Sequence, residues 1–589
     1  MKDFLKYTLA TVVGIILASI IFTVIGIISV AGMVASESAG SPVEKNSVLR
    51  IKLQGELVDR AGEGSPMDFL NRGEQTTIGL DQALEALKKA AKNDNVKGIY
   101  LEAGSFAAYP ADLQELRRAL AEFKESGKWI VAYGDRYSRG AYYLCSLADE
   151  IFLNPIGAID WSGMSSQPMF YTGLMKKVGV KMQVFKVGTY KSAVEPYINT
   201  EMSEANREQT MSYLSSMWNC MLKDVAASRK LKVEELNSLA DSTTVFCEAQ
   251  VLVDNKLADK LGYLSDVKEA LRQRLELEED DDLKFATLAD VDASDDLGKK
   301  VDEEVAVYYA YGEINDTPEK SFSQEHQITT QATIKDLQEL RKDEDVKAVV
   351  IRVNSPGGSA FASEQIWHEV QLLRAEKPVV VSMGGLAASG GYYISCGANE
   401  IWAEPMTLTG SIGIFGMIPD PSELLTDKLG LSFDVVKTNA LSDFGAMGRP
   451  FNATESALLQ KHINQGYELF TGRVAGGRGL EQDSVKVIAE GRVWTGEQAQ
   501  KIGLVDKLGN LDDAIAAAAK LAELEDYTVG RYPAPEPWYM GLLDKSADDY
   551  MEGKMRAALG EYYSAVSLVR RIGKMDPVQA RMPFDPNIK

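Results

Sequence analysis

Past its first forty residues, this chain alternates short β-branched runs with stretches of helical spacing. Residues 348–353 form one such run and read as a buried strand. Between 364 and 374, Ile366, Val370 and Leu373 recur at helical spacing, and residues 379–382 and 400–403 give further strands. Strand, helix, strand in that order implies crossover connections and a parallel sheet. Functional groups of such α/β domains sit beyond the strand ends. The start of the chain differs. After Lys2, Asp3 and Lys6, residues 7–36 carry no charge. A helix of about 20 residues already crosses a bilayer core, so this run is long enough to span. Its length favours a retained anchor over a cleaved leader, although the Ala- and Ser-rich residues 35–41 offer a cleavage site as the alternative. Lysines precede the run and Glu37 follows it, which puts the N-terminus in the cytoplasm and everything after about residue 40 on the far side.

The part beyond the anchor repeats itself. Shifted by 250 positions, Val96-Lys97 falls on Val346-Lys347, Tyr142-Tyr143 on Tyr392-Tyr393, Glu150-Ile151 on Glu400-Ile401 and Pro155 on Pro405. With a small further shift, Asp259-Lys260-Leu261-Gly262 matches Asp506-Lys507-Leu508-Gly509. A period this long means two copies of one domain rather than a solenoid. The expected organisation is an anchor (1–36), a first α/β repeat (47–270), an acidic linker (271–303), a second α/β repeat (304–525) and a C-terminal extension (526–589). In that extension Arg556, Arg570 and Arg571 punctuate an amphipathic pattern.

Composition narrows the partners. At 589 residues the chain exceeds the capacity of one core. A net charge of -22 argues against nucleic acid, whose phosphates need a basic surface. Cys145, Cys220, Cys247 and Cys396 show no close-spaced pair, so neither a zinc site nor a disulfide framework is suggested. No metal or cofactor is implied.

Candidate chemistry gathers in Ser382-Met383-Gly384-Gly385-Leu386-Ala387-Ala388-Ser389-Gly390-Gly391-Tyr392-Tyr393. A serine at a strand-to-helix turn projects its hydroxyl from the sheet edge, and the next N–H groups favour an anion. That suits a nucleophile whose attack creates an oxyanion. Taken alone, the stretch reads equally as a glycine-rich turn with a capping serine. The repeat bears on the choice. Ser389 falls on Arg139, a guanidinium that cannot attack a carbonyl. Asn354-Ser355-Pro356-Gly357-Gly358 falls on Gly104-Ser105-Phe106-Ala107-Ala108, so the first copy also lacks the paired glycines that let a backbone N–H approach a ligand. A nucleophilic serine needs a base. His326, His368 and His462 sit in no motif that suggests a triad. Lys191, in contrast, falls on Ser442 of the second copy. A lone lysine is ordinarily a solvated charge. Here one copy keeps the serine and the other the lysine, which points to one site between the halves. Lys191 acts as a base only when neutral, and burial at the junction lowers its pKa, so activity is expected to rise with pH.

Five motifs then point to a family: the 354–358 turn, Ser389-Gly390-Gly391-Tyr392-Tyr393, Thr409-Gly410-Ser411-Ile412-Gly413, Tyr190-Lys191-Ser192-Ala193-Val194-Glu195-Pro196 and Gly491-Arg492-Val493-Trp494-Thr495-Gly496. Together they resemble the signal peptide peptidase SppA (protease IV) family in its long tandem-repeat form. The resemblance implies two tandem crotonase- or Clp-protease-like α/β domains after a transmembrane helix. It implies a Ser/Lys dyad, with Ser389 as nucleophile, Lys191 as general base, and N–H groups at Gly358 and Gly390 as oxyanion hole. It also implies a homotetramer on the outer face of the bacterial inner membrane that degrades cleaved signal peptides. An extended apolar peptide is expected to pair with residues 411–417, where Ile412, Ile414 and Phe415 offer contacts. Two other classes remain from the residues alone: a crotonase-type acyl-CoA enzyme and a non-catalytic membrane scaffold.

Overall fold

The computed structural model describes residues 41–61, 77–242, 244–278, 281–294, 301–318, 326–534 and 578–582, with scattered positions between 6 and 19. The apolar run at 7–36 lies almost wholly outside these, as do Arg556, Arg570 and Arg571. Among the described residues no helix is long and apolar enough to cross a membrane.

Each repeat is built on a parallel sheet. In the first the order is Thr77–Gly79, Ser47–Val58, Val96–Ala107, Trp129–Tyr137, Glu150–Ile159, Lys260–Leu261. In the second it is Val493–Thr495, Leu408–Gly410, Val379–Ala388, Val346–Ser355, Glu304–Tyr311, Thr528–Tyr532, parallel except at its Val493–Thr495 edge. The middle strands are covered on both faces, which is why Val349, Val350 and Ile351 are buried in succession rather than alternately. Helix Ala360–Glu376 covers one face by burying Ala362, Ile366, Val370 and Leu373, spaced at about one turn each. The duplication extends to single bonds. Tyr142 Oη donates to the Leu257 carbonyl at 3.0 Å, and Tyr392 Oη to that of Leu504 at 2.8 Å. The Ile151 and Ile401 amides each donate to an aspartate, Asp259 and Asp506, at 2.7 Å.

Some boundaries differ from the sequence expectation. The strand expected at 379–382 continues to Ala388, because its small residues still find partners: Leu386, Ala387 and Ala388 lie opposite Leu408, Thr409 and Gly410. The bend is therefore confined to Ser389. The strand expected over 411–417 starts only at Phe415 and runs to Asp420. Before it, Ser411 takes φ 50° and its amide donates to the Arg492 carbonyl, which pulls the chain out of the sheet. Within the acidic stretch 271–303, Phe285–Ala286 pairs with Val48 and Leu49, and helix Leu288–Asp292 buries Val291, so this piece packs on the first repeat.

A third sheet joins the repeats. Its order is Gln327–Thr329, Glu313–Asn315, Gly357–Ser359, Val578–Arg581, Phe415–Asp420, Lys181–Lys186. Lys181–Lys186 of the first repeat runs antiparallel to Phe415–Asp420 of the second, with Lys186 opposite Phe415. A buried charge cluster makes a second seam. Arg352 lies 2.7 Å from Glu115, 3.0 Å from Asp59 and 3.8 Å from Asp112, and all four are buried. Arg118 crosses the same seam to Glu404 at 2.7 Å, yet burial still pushes the Glu404 carboxyl up to about 8. Replacing Arg352 by methionine leaves three carboxylates buried without their cation. It should lower stability by about 3–5 kcal/mol, the usual cost of breaking a buried pair. Urea unfolding checks this; an unchanged midpoint contradicts it.

Candidate active site

Ser389 stands where strand Val379–Ala388 meets helix Gly390–Ser395. Its φ of 55° and ψ of -110° lie outside the regions an L-residue prefers, at a cost of about 1–3 kcal/mol. The neighbourhood enforces that conformation. Its amide donates to the Gly410 carbonyl at 2.8 Å and its carbonyl accepts from Tyr393 N at 2.8 Å. The result is a sharp elbow that lifts the hydroxyl off the strand end. In the first repeat the matching Arg139 opens helix Arg139–Cys145 after Ser138, whose φ is an ordinary -64°, and its guanidinium donates to the Gly163 carbonyl. The strained elbow is therefore present at Ser389 and absent from the first repeat, where neither Ser138 nor Arg139 takes a positive φ.

Lys191 arrives from the other repeat. The cross-sheet pairing of Lys181–Lys186 delivers the chain to the second repeat, and Val187 N then donates to the Ile414 carbonyl at 3.2 Å. Tyr190 N donates to Glu490 O at 3.0 Å, and Gln209 Nε2 to Tyr190 O at 3.0 Å, which clamps the turn from both sides. Next to it Glu195, also buried, accepts from Ser203 Oγ and Asn206 Nδ2. The outcome is short. Lys191 Nζ lies 2.7 Å from Ser389 Oγ, 2.9 Å from Ser411 O and 3.1 Å from Ser411 Oγ. All three residues are fully buried. Burial alone holds the Lys191 amine well below the usual lysine range.

The glycines explain themselves by contact. A Cβ on Gly491 would stand 2.6 Å from Lys191 Cβ, and its φ is +76°. Gly491→Ala therefore has to push Lys191 aside. With a misplacement of that kind, kcat/KM should fall about 100-fold while the circular dichroism spectrum stays native. Retention of wild-type activity would count against the packing described. A Cβ on Gly357 would meet Ala580 O at 2.1 Å and Gly390 N at 2.5 Å, and one on Gly358 would meet Ile314 O at 2.0 Å. The paired glycines thus let two backbone stretches close on the start of the Gly390 helix.

Strand Val578–Arg581 lies between Gly357–Ser359 and Phe415–Asp420, antiparallel to both. It fills a slot one strand wide, roughly 10 Å between the flanking strands at the usual spacing. Gly358 lies opposite Ala580, and Met582 N donates to Pro356 O at 2.8 Å.

The residues singled out in the sequence thus fall into two groups. Ser389 and Lys191 meet at 2.7 Å, and Gly390 meets the glycine turn before Ser359, where its added Cβ would stand 3.0 Å from Gly357 Cα. The histidines do not: His368 and His462 are exposed, and His326 stacks on Tyr311 with ring centroids 3.8 Å apart. Ser411, Gly491 and Gln209 were given no role by sequence reasoning. For the first two the signal was present in the Thr-Gly-Ser-Ile-Gly and Gly-Arg-Val-Trp-Thr-Gly motifs; for Gln209 there was none. Cys145 and Cys396 are buried free thiols.

The chain is a serine peptidase of α/β fold, Clp-protease-like in the second repeat, where the Clp protease profile matches residues 312–405. The profile of peptidase family S49 matches residues 122–278 and 371–525, one stretch in each repeat, and the chain belongs to that family. Protease 4 of Salmonella typhi is 36% identical over 537 residues, covering 90% of this chain and 83% of its own. The chloroplastic serine protease SPPA of Arabidopsis thaliana is 30% identical over 552 residues, covering 92% and 78%. A protein of Enterococcus faecium described as a putative signal peptide peptidase SppA is 36% identical over 222 residues, which is 38% of this chain and 64% of its own. The acyl-CoA and scaffold alternatives lapse with this membership.

Proposed function

We propose that this peptidase is a membrane-anchored endopeptidase that cuts apolar peptides, cleaved signal peptides among them, with Ser389 as nucleophile and Lys191 as base. The carrying observation is the 2.7 Å contact between Lys191 Nζ and Ser389 Oγ inside a fully buried site. A neutral amine has two N–H donors and one lone pair. Two neighbours, Ser411 O and Ser411 Oγ, suit the donors, and the lone pair is left for the Ser389 proton. Lys191 takes that proton as Oγ attacks the peptide carbonyl. The amides of Gly358 and Gly390 hold the oxyanion; the Ser389 amide is already committed to Gly410. The Lys191 ammonium then protonates the leaving amine, and Lys191 activates the water that frees the acyl group.

The substrate enters as a strand in the slot between Gly357–Ser359 and Phe415–Asp420, which supplies main-chain pairing on both sides. Residues 7–36 act as a single-pass anchor in the bacterial inner membrane and leave the catalytic repeats on the periplasmic side. The working assembly is a homotetramer. In support, residues 432–437 of the second repeat correspond to Lys181–Lys186 of the first but carry no strand. Val436 there is 98% exposed, whereas its counterpart Phe185 is 9% exposed and paired, so this segment is available to a neighbouring copy. Digestion of a synthetic apolar peptide in detergent tests the substrate reading. Internal cleavage is expected, and much slower cleavage of a charged peptide of equal length. Equal rates on both would overturn the preference.

A further inference from the structure

The side chain of Arg492 takes no part in the proton transfer, yet this residue touches both turns that place the amine. We propose that Arg492 is a positioning residue of the reaction: its guanidinium, clasped between the Tyr190 and Trp494 rings, fixes the Lys191 turn of the first repeat against the Ser411 turn of the second. The inference rests on the roles proposed above for Ser389 and Lys191.

The backbone of Arg492 serves one turn. Its carbonyl accepts from Ser411 N at 2.7 Å, and Ser411 holds Lys191 Nζ through its own carbonyl and hydroxyl. The side chain serves the other. Its Cζ stands 4.7 Å from the centre of the Tyr190 ring and 4.6 Å from that of Trp494. Tyr190 directly precedes Lys191, so an arginine of the second repeat grips the first repeat's chain one residue from the base. Glu208 completes the clasp: it lies 3.0 Å from Arg492 Nη2 and accepts from Tyr190 Oη at 3.2 Å.

The rings carry most of the grip. Glu208 is 58% exposed, and an exposed ion pair contributes little. Arg492 itself is only 21% exposed, and its buried Nε bonds to nothing among the described residues, so the ring faces are its principal partners. A planar guanidinium suits two faces in a way that an ammonium does not. What the clasp secures is exacting. Lys191 Nζ keeps three contacts at once, at 2.7, 2.9 and 3.1 Å. A shift of about 1 Å in a reacting group costs about 100-fold. Losing the clasp loosens the turn without unfolding it, because Tyr190 keeps its backbone bonds to Glu490 and Gln209.

Steady-state digestion of a synthetic apolar peptide by the full chain in detergent, run as a double-variant cycle, tests this. Arg492→Leu should lower kcat about 10- to 100-fold. KM should stay unchanged, since no clasp residue belongs to either strand of the slot. Arg492→Lys should not restore the rate. Tyr190→Leu should fall as far as Arg492→Leu, and the double variant no further, because both remove one contact. Tyr190→Phe keeps the ring and should stay about tenfold faster than Tyr190→Leu. A loss confined to KM, full rescue by lysine, or additive losses would overturn the proposal. If Arg492→Leu does not fold, the Tyr190 pair decides: equal rates overturn the clasp and a faster Tyr190→Phe upholds it. Wild-type kcat in Arg492→Leu beside an inactive Ser389→Ala overturns this inference alone. A Ser389→Ala protein that still digests the peptide overturns the reading of the site as well.

Discussion

Replacing Ser389 by alanine lowers kcat on an apolar peptide by about 10⁴- to 10⁶-fold and leaves the fold intact. The size follows from losing a nucleophile whose partners act as a unit; what remains is the contribution of the oxyanion donors and of binding. The fold survives because the elbow is set by backbone bonds. The Ser389 amide still reaches Gly410 O, and Tyr393 N still reaches the carbonyl of residue 389. Lys191 Nζ also keeps Ser411 O and Ser411 Oγ, so no buried amine is orphaned. Single-turnover peptide digestion beside thermal unfolding separates the two effects. Residual activity within tenfold of wild type would remove Ser389 from the chemistry.

Lys191→Met should cost a comparable factor, and the double variant should be no slower than either single one, because the two groups serve one step. Methionine keeps the stem's volume and removes only the amine. Two pH signatures follow. The kcat/KM of wild type rises with pH as Lys191 loses its proton, and that limb disappears in the variant. Stability moves in the same direction. The folded state holds Lys191 well below its unfolded value of 10.5, so between the two values the unfolded chain binds the extra proton. Wild-type stability therefore climbs as pH rises through that window, and Lys191→Met lacks this slope. Urea titrations across pH read it directly. A parallel slope in the variant would place the titrating group elsewhere.

Both the α/β class and the duplication were legible in the sequence, because buried parallel strands announce themselves as β-branched runs and the repeat preserved landmarks such as Tyr142 and Tyr392. The nearness of Lys191 to Ser389 was legible for a different reason. Each repeat had dropped the group the other retained, as Arg139 and Ser442 record. What joins them was not legible. The pairing of Lys181–Lys186 with Phe415–Asp420 spans over two hundred residues, and no local period marks a partner at that distance. The same holds for Val578–Arg581, four residues whose placement depends on a slot built from two strands distant in the chain. Strand Val379–Ala388 outran its expected end because glycine and alanine weaken the strand signal while fitting a crowded sheet centre. The contact of Ser411 with Lys191 was not legible although its motif was, because part of that contact is a backbone carbonyl, and every residue has one.

The site's central claim is that an amine from one repeat activates an alcohol of the other. Fluorophosphonate labelling of the purified protein, followed by peptide mapping across a pH series, tests it most directly. Wild type should carry the label on Ser389 at a rate that rises with pH through one ionisation, and Lys191→Met should label far more slowly and without that rise. Label on another residue, or a Lys191→Met protein that reacts like wild type, would contradict it.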